Sequence, residues 1–589
     1  MSFFIFFFLN KYILLLYIIM SIWQTKDTIP IEQTEKAISS TNGLSYSAGQ
    51  VIDIFVPPTT KFFVGKDSYL EFDVEIALPS DSAGDLARIQ LDAETGGNVL
   101  IKTLSLFSSN KSQLLEQIVG YNTMVAIKYD YETNDTVKGK RIVEGATHAI
   151  PDLRGSLGTS ESALNNHKSN PYYKKVDNAT TNTAFTNANY YQKAKITMPV
   201  HCGVFASEKV WPNMLTNGVT LSLELESNTN VFRMLDSCSK ERRIEANPKV
   251  NGLGAVNGSL AGSGSDTLEV FIEPSNSNWK VENFPFVVGQ KFKLVTDTYA
   301  NATLNEGIIS QIEVDSGYIK VTTSASLTAT GAVDPVAEKF YLVDESVVSA
   351  ASFNPTYTVS DVKLIVKEVN MGSNYENDLM NRMKQSGTIN IDVTSVQNYQ
   401  SSILASDRVA NIRVPVNNSR CRSVIACLTD STRYSTKDAI SASGTYIISE
   451  STGDGVMRSC RSGLEGICDR LSEYNWFLNG RLQPSRPIKT SKIANKQSIS
   501  AQHIVEVEKA LSSSGFIQPL SFEAYNRNFI IGRTLGIQQN MVYNANGRDF
   551  NLQLNYNESA APDKNKLVNM FVFHIRRFII KNESVMVEV

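Results

Sequence analysis

Asp67–Leu78, DSYLEFDVEIAL, alternates apolar and charged side chains without interruption. Leu70, Phe72, Val74 and Ile76 share one face, and Glu71, Asp73 and Glu75 share the other. A period of two with one apolar face predicts a half-buried antiparallel strand with a wet outer surface. Upstream, VIDIFVPP (Val51–Pro58) alternates and stops at a proline pair; downstream, NVLIKTLSLF (Asn98–Phe107) is a third candidate. KSQLLEQIVGYNTMVAIKY (Lys111–Tyr129) reads as helix, with Leu114, Leu115, Ile118 and Met124 near helical spacing. The polar stretch Asp130–Tyr190 has no clear period and reads as an extended surface loop. YQKAKITMPV (Tyr191–Val200) and GVTLSLELE (Gly218–Glu226) return to strand, with a short helix expected over Glu208–Leu215.

Cys238–Val348 stands apart as an insert. It opens on NGLGAVNGSLAGSGSD (Asn251–Asp266), a flexible-linker composition. FVVGQKFKLV, IISQIEV and GYIKVTTSASL inside it are short strands, suggesting a small β-barrel or hairpin module. VSDVKLIVKEVNM (Val359–Met371) resumes the earlier pattern, with Leu364, Val366 and Val369 spaced for a bulge or a helix. NYENDLMNRMKQS (Asn374–Ser386) is a helical connector. Beyond it come the strands TINIDVT, VANIRVPV and RSVIACL, then a helix near Ser500–Leu511. NFIIGRTLG and DFNLQLNY follow, and a long apolar strand turns at Lys581–Glu583 and ends on Val585–Val589. The order of elements is similar in the two halves. Strands with long loops, twice over, predict an all-β chain of two tandem eight-stranded jelly rolls, with a small inserted β-module and a few short helices. The expected divisions are a leader (1–19), an N-terminal arm (20–46), a first jelly roll (47–372, insert 238–348), a helical connector (373–387) and a second jelly roll (388–589).

The leader, FFIFFFLNKYILLLYII (Phe3–Ile19), is interrupted by Asn10-Lys11, and neither a basic region before it nor a small-residue cleavage site after Met20 frames it. Each of its residues has a codon built from A and T alone. It therefore reads as an AT-rich untranslated leader read in frame, a mis-called start with Met20 as the downstream one; the alternatives are a signal anchor and a membrane-contacting arm.

Of the 589 residues, 42% are hydrophobic and 20% charged, which allows well-filled cores. A net charge of −3 leaves no global basic footprint for nucleic acid. Cys202, Cys238, Cys421, Cys427, Cys460 and Cys468 form no C-x-x-C pair and read as buried thiols. Sequons at Asn134, Asn178, Asn257, Asn301, Asn417, Asn557 and Asn582 matter only on a secretory route.

The motifs of chemistry do not appear. His148, His167, His201, His503 and His574 have no metal-ligand spacing, and there is no nucleophile elbow or phosphate loop. Gly65-Lys66 and Gly139-Lys140 lack the residues that would complete such a loop. His201-Cys202 imitates a Cys–His pair, but a structural histidine after the strand MPV is the plainer reading. Three basic clusters, SRCRS (Ser419–Ser423), MRSCRS (Met457–Ser462) and HIRR (His574–Arg577), are suited to phosphate on the inside of a shell or, more simply, to Arg–carboxylate contacts between subunits or to solvated positions. No catalytic, cofactor-binding or metal-binding residue is assigned, and no cofactor or small-molecule substrate is expected.

YNWFLNGRLQPSRPI (Tyr474–Ile488) follows RSCRSGLEGI (Arg458–Ile467). With SAGQVIDIFVPPTTKFFVGKDSYLEFDVEI (Ser47–Ile76) and FVFHIRRFIIKNESVMVEV (Phe571–Val589), these segments resemble, in their order, the major capsid proteins of virophages and Polinton-like viruses, of the double jelly-roll lineage. The resemblance spans about Ser47–Val589 and is weakest over the insert. It implies a non-enzymatic structural protein that forms homotrimeric pseudo-hexagonal capsomers, tiles an icosahedral virion and is assembled in the host cytoplasm or nucleus. It implies as partners other copies of the chain, penton and minor capsid proteins, and an internal membrane or the genome through the arm Trp23–Leu44. The rival is a secreted or surface-anchored β-sandwich adhesin or carbohydrate-binding protein, which would carry occupied sequons and oxidised cysteines. A jelly-roll glycoside hydrolase would need paired carboxylates in an aromatic groove, and only four Trp are present.

Overall fold

A computed structural model describes residues 32–77, 86–92, 95–132, 139–145, 174–177, 194–234, 244–250, 268–272, 291–296, 305–315, 318–323, 340–344, 356–431, 464–469, 471–490, 500–520, 528–536, 541–556 and 565–588. The first module opens with β1 (Glu32–Ser39), β2 (Ser45–Ser47), β3 (Val51–Val56) and β4 (Phe62–Ala77). Next come β5 (Leu86–Leu91), β6 (Ile101–Ser108), β7 (Leu114–Val119) and helix α1 (Tyr121–Tyr131). β8 (Lys174–Asp177), β9 (Ala194–Pro199), α2 (Gly203–Ala206) and β10 (Val210–Trp211) precede β11 (Val219–Leu225), α3 (Asn228–Val231) and β12 (Phe232–Met234).

Six strands then form a unit of their own: β13 (Ile244–Val250), β14 (Leu268–Ile272), β15 (Lys291–Thr296), β16 (Asn305–Asp315), β17 (Tyr318–Thr323) and β18 (Phe340–Asp344). They close antiparallel into a barrel in the order β13-β14-β17-β16-β15-β18. β19 (Thr356–Asn370) returns to the first module, and α4 (Ser373–Ser386) leads out of it, ending at Gly387 in the left-handed region (φ 70°). The second module holds β20 (Ile389–Ile403), β21 (Val409–Arg413), β22 (Cys421–Asp430), β23 (Leu471–Leu478) and β24 (Arg481–Lys489). It finishes with α5 (Ala501–Ser514), β25 (Ile530–Thr534), β26 (Phe550–Tyr556), β27 (Lys566–Lys581) and β28 (Ser584–Glu588).

The protein is all-β with two analogous antiparallel modules. The second module's sheets run β20-β27-β22-β25, with β28 on β27, and β21-β26-β23-β24. Numbering its eight main strands one to eight, the orders are 1-8-3-6 and 2-7-4-5. The first module repeats them: β19 pairs with β1, β2 and β4, and β4 with β9 and β10, while the other sheet runs β3-β11-β6-β7. This order is consistent with a double-jelly-roll architecture. The additions among the described residues are β1, β10 and β28 on the larger sheets, and a separate three-stranded sheet, β12-β5-β8.

Antiparallel neighbours alternate direction, so successive connections alternate between two ends of each module. At one end the first module carries 48–50, 78–100, 120–193 and 226–355, and the second carries 404–408, 431–470, 490–529 and 557–565. The opposite end carries 57–61, 109–113 and 212–218, then 414–420, 479–480, 535–549 and 582–583, together with the connector 371–388 between the modules. All the longest connections therefore share one end.

The alternation read in Asp67–Leu78 is realised in β4. Leu70, Phe72 and Val74 are buried against Ile52, Ile54, Leu104, Leu106, Leu221 and Leu223, while Glu71, Asp73 and Glu75 stay half exposed. Elsewhere the structure corrects the reading. Leu114–Val119 is the strand β7 and not the start of a helix; Gly120, at φ 68°, breaks the run before α1 begins. Glu208–Leu215 holds β10 and a single 3-10 turn at Asn213–Leu215, because Pro212 lacks the amide that would continue a helix. Leu364, Val366 and Val369 lie on the strand β19, whose register shifts between Ser360 and Lys363 and between Ile365 and Lys367. Within the segment read as an arm, Glu32–Ser39 pairs along its whole length with β19. The leader, residues 20–31, and most of Asp130–Tyr190 lie outside the described residues.

Candidate assembly surfaces

The two modules meet along one continuous apolar core. In β27, Val568, Met570 and Val572 face the second module's own interior, whereas Phe571 and Phe573 join the core shared with the first module. β22 also divides: Val424, Ala426 and Leu428 point inward, and Ile425 and Cys427 lie on the other face, over which α5 packs. A sheet buried on both faces needs uninterrupted apolar runs, which explains RSVIACL and NMFVFHI. Trp211 of β10 meets Phe578 of β27 edge-on, with ring centroids 5.7 Å apart.

Glu116, on β7, anchors this junction. It is fully buried; one carboxylate oxygen accepts from the Ser395 hydroxyl of β20 and the other from the Gly203 amide, each at 2.6 Å. Burial pushes its carboxyl above the usual range, while the Arg576 guanidinium and these hydrogen bonds pull it down. Arg576 donates to the Leu115 carbonyl at 2.5 Å, and Asn398 donates to the Val119 carbonyl at 2.9 Å. At the end with the long connections, Tyr131 donates to the Asn528 carbonyl at 2.8 Å and Lys128 to that of Phe516 at 2.6 Å. At the opposite end, the Asn217 amide donates to the Glu583 carbonyl at 3.3 Å. These contacts set the modules side by side with like ends together.

The groups singled out in the sequence resolve into structure. His201 is buried with Nε2 2.8 Å from the Tyr129 hydroxyl, and burial holds its pKa well below the usual value. Burial also raises the Cys202 thiol well above its usual pKa, so the adjacent pair lacks the thiolate that nucleophilic chemistry requires. His503 faces the Tyr474 hydroxyl at 2.9 Å and stacks on Phe529. In HIRR, His574 and Arg576 turn inward and Arg577 grips Asp392 through two hydrogen bonds of 2.7 and 3.0 Å. In SRCRS, Arg420 reaches Glu588 at 3.3 Å and Arg422 donates to Thr394 at 3.3 Å. Carboxylates of the same chain take the place of the phosphate weighed for Arg420 and Arg577. MRSCRS, His148 and His167 lie outside the described residues. Among the described residues no group of three or more His, Cys, Asp or Glu is placed to hold a metal ion.

Cys202, Cys421, Cys427 and Cys468 are buried thiols outside any disulfide, and burial pushes the Cys421 thiol up to about 12. A thiol-alkylating reagent at neutral pH should leave these four unmodified in the folded chain and modify all four in denaturant, as read by peptide mass mapping. Alkylation of Cys421 or Cys427 in the native chain would contradict the packing described.

Among the described residues, two surfaces present charged side chains to solvent. The outer face of β4 and β19 is charged, with ion pairs Lys195–Glu71 (3.0 Å) and Lys367–Asp67 (3.1 Å). β24 ends its sheet with Arg481, Arg486 and Lys489 exposed, after a tight turn at Asn479-Gly480 in which both residues have positive φ.

No protein-family model and no curated protein matches the chain. Among solved structures it is similar to the Faustovirus major capsid protein, at 8% identity and a TM-score of 0.46, covering 95% of this chain and 92% of that one. It is also similar to PBCV-1 VP54 fitted into the virophage Sputnik reconstruction, at 10% identity and 0.45, covering 96% and 99%. The mavirus major capsid protein is similar at 10% identity and 0.34, covering 96% of this chain and 92% of that one.

Proposed function

We propose that this chain is a major capsid protein: each module is a jelly roll, and three chains close into a pseudo-hexagonal capsomer that tiles an icosahedral virion. The observation that carries this is the pairing of two modules with the same strand order, fixed side by side with like ends together. Two equivalent modules per chain supply six around a threefold axis, which is the symmetry of a hexagonal tile. The end with short connections offers a compact base, and the end with long ones, including the inserted barrel, forms an outer tower. The resemblance noted in Ser47–Ile76, Arg458–Ile488 and Phe571–Val589 agrees with this reading. Penton and minor capsid proteins are its further partners, and the residues preceding β1 contact neighbouring capsomers, an internal membrane or the genome.

Negative-stain microscopy combined with a solution mass tests the proposal. Discrete hexagonal particles with the mass of three chains are expected. A monodisperse monomer at high concentration would refute it.

A further inference from the structure

The interior of the second module encloses a lysine and an aspartate in direct contact. Lys566 opens β27 in the larger sheet, and Asp469 lies just before Leu471, where β23 of the smaller sheet begins. The Lys566 ammonium meets the Asp469 carboxylate, and both side chains are fully buried. Their neighbours along the chain and across the sheets include Cys468, Leu471, Tyr556 and Val568 of the module's apolar core. Enclosing two charges there is expensive, and their mutual attraction often fails to offset it.

An ion pair differs from a free amine beside a carboxylic acid by one proton moved across the contact. In that form the amine is a nucleophile and the carboxyl carbon its electrophile, already held together by the fold. We propose that Lys566 and Asp469 condense into an intramolecular isopeptide bond that joins the two sheets of the second module. The lysine nitrogen bonds to the carboxyl carbon, one carbon–oxygen bond breaks, and the oxygen departs as water. Counted from the ion pair, both protons that the nitrogen gives up leave on that oxygen, so no oxidant, reductant or co-reactant is consumed. The amide formed is uncharged, which removes the cost of keeping two ions in the core.

Tyr556, the last residue of β26, is placed to relay the proton. The Lys566 ammonium lies over its ring, 4.9 Å from the centroid, and its buried hydroxyl makes no hydrogen bond among the described residues. Burial raises the Tyr556 pKa, with Asp469, Cys468 and Asp407 adding to it, so the group stays a neutral hydroxyl that accepts one proton as it releases another. The position gives the bond a use. Asp469 stands at the end of the connection 431–470, and Lys566 directly follows 557–565, both at the end with the long connections. Cross-linking residues about one hundred positions apart removes much freedom from the unfolded chain. Unfolding that starts in those connections then cannot part the sheets.

Tryptic mapping of the full-length protein, denatured only after purification in its folded form, tests the bond. Ser462–Arg470 and Asn565–Arg576 are expected as one linked peptide, one water lighter than the two together, because an acylated Lys566 resists cleavage. Lys566→Arg and Asp469→Ala should each release Ser462–Arg470, or its variant, unlinked. Tyr556→Phe removes the hydroxyl alone and should lower the linked fraction severalfold; an unchanged fraction would overturn the relay and leave the bond standing. Ser462–Arg470 recovered only in unlinked form from the wild type would overturn the proposal, as would a linked peptide that persists in Lys566→Arg. The wild-type map decides even where a variant fails to fold, and it does so independently of how many chains assemble.

Discussion

Glu116→Ala is expected to destabilise the folded chain by about 2–6 kcal/mol, since it leaves two buried donors without an acceptor at about 1–3 kcal/mol each. The side chain is completely buried, and the Ser395 hydroxyl and the Gly203 amide depend on it as acceptor. The Arg576 guanidinium, itself largely buried and donating to the Leu115 carbonyl, also loses a favourable charge nearby. Glu116→Gln keeps an acceptor for the hydroxyl or the amide and should cost less, about 1–3 kcal/mol. Glu116→Leu combined with Arg576→Met removes both buried ionisable groups at once and should recover part of the loss. Urea unfolding of the four proteins reads these differences. The Ala variant should also unfold in two steps, because the shared core is what couples the modules. A single transition at the wild-type midpoint in Glu116→Ala would show that the junction does not depend on this group.

The second large effect is with pH. Burial, with Arg576 adding to it, lowers the His574 pKa from its usual 6.5 to about 3. Between those values the unfolded chain binds a proton that the folded chain refuses, so stability falls as pH falls. The contribution is complete above about pH 6.5 and is lost progressively toward about pH 3, where it amounts to about 4–5 kcal/mol. His201, lowered by burial with Lys128 and Arg141 adding to it, acts in the same direction. Urea midpoints measured from pH 7 down to pH 4 should therefore decline, and His574→Gln should flatten part of the decline relative to its own value at pH 7. Stability that holds constant over this range in the wild type would refute the assignment.

Both effects arise where sequence reasoning was weakest. The interior of each module was legible because one face of each strand is wet: Leu70, Phe72 and Val74 alternate with three carboxylates, and no other element gives that pattern. The junction was not. In β7 the neighbours Leu115 and Glu116 are both buried while Leu114 and Gln117 are exposed, so LLEQIV lost its alternation and fitted a helix equally well. The one signal available was an acidic residue inside an apolar run, which has to find a partner wherever it is buried. The helix placed at Glu208–Leu215 failed for a related reason: tertiary contact with β4 and Phe578 makes Val210–Trp211 a strand, and Pro212 forbids the alternative. The basic clusters were visible as letters, but their partners, Asp392 and Glu588, lie at least 28 residues away from Arg420 and could not be paired by eye.

The gathering of all the longest connections at one end of both modules gives the molecule a permanent sidedness. Insertions there lengthen a chain crossing that is already long, and the entropic cost of a loop grows only slowly with its length. Whole units such as the six-stranded barrel can be gained, exchanged or shed at that end while the strand registers and the compact opposite end keep their geometry. The relief that the chain presents to its surroundings is thus free to diversify, and the footing on which it stands is not.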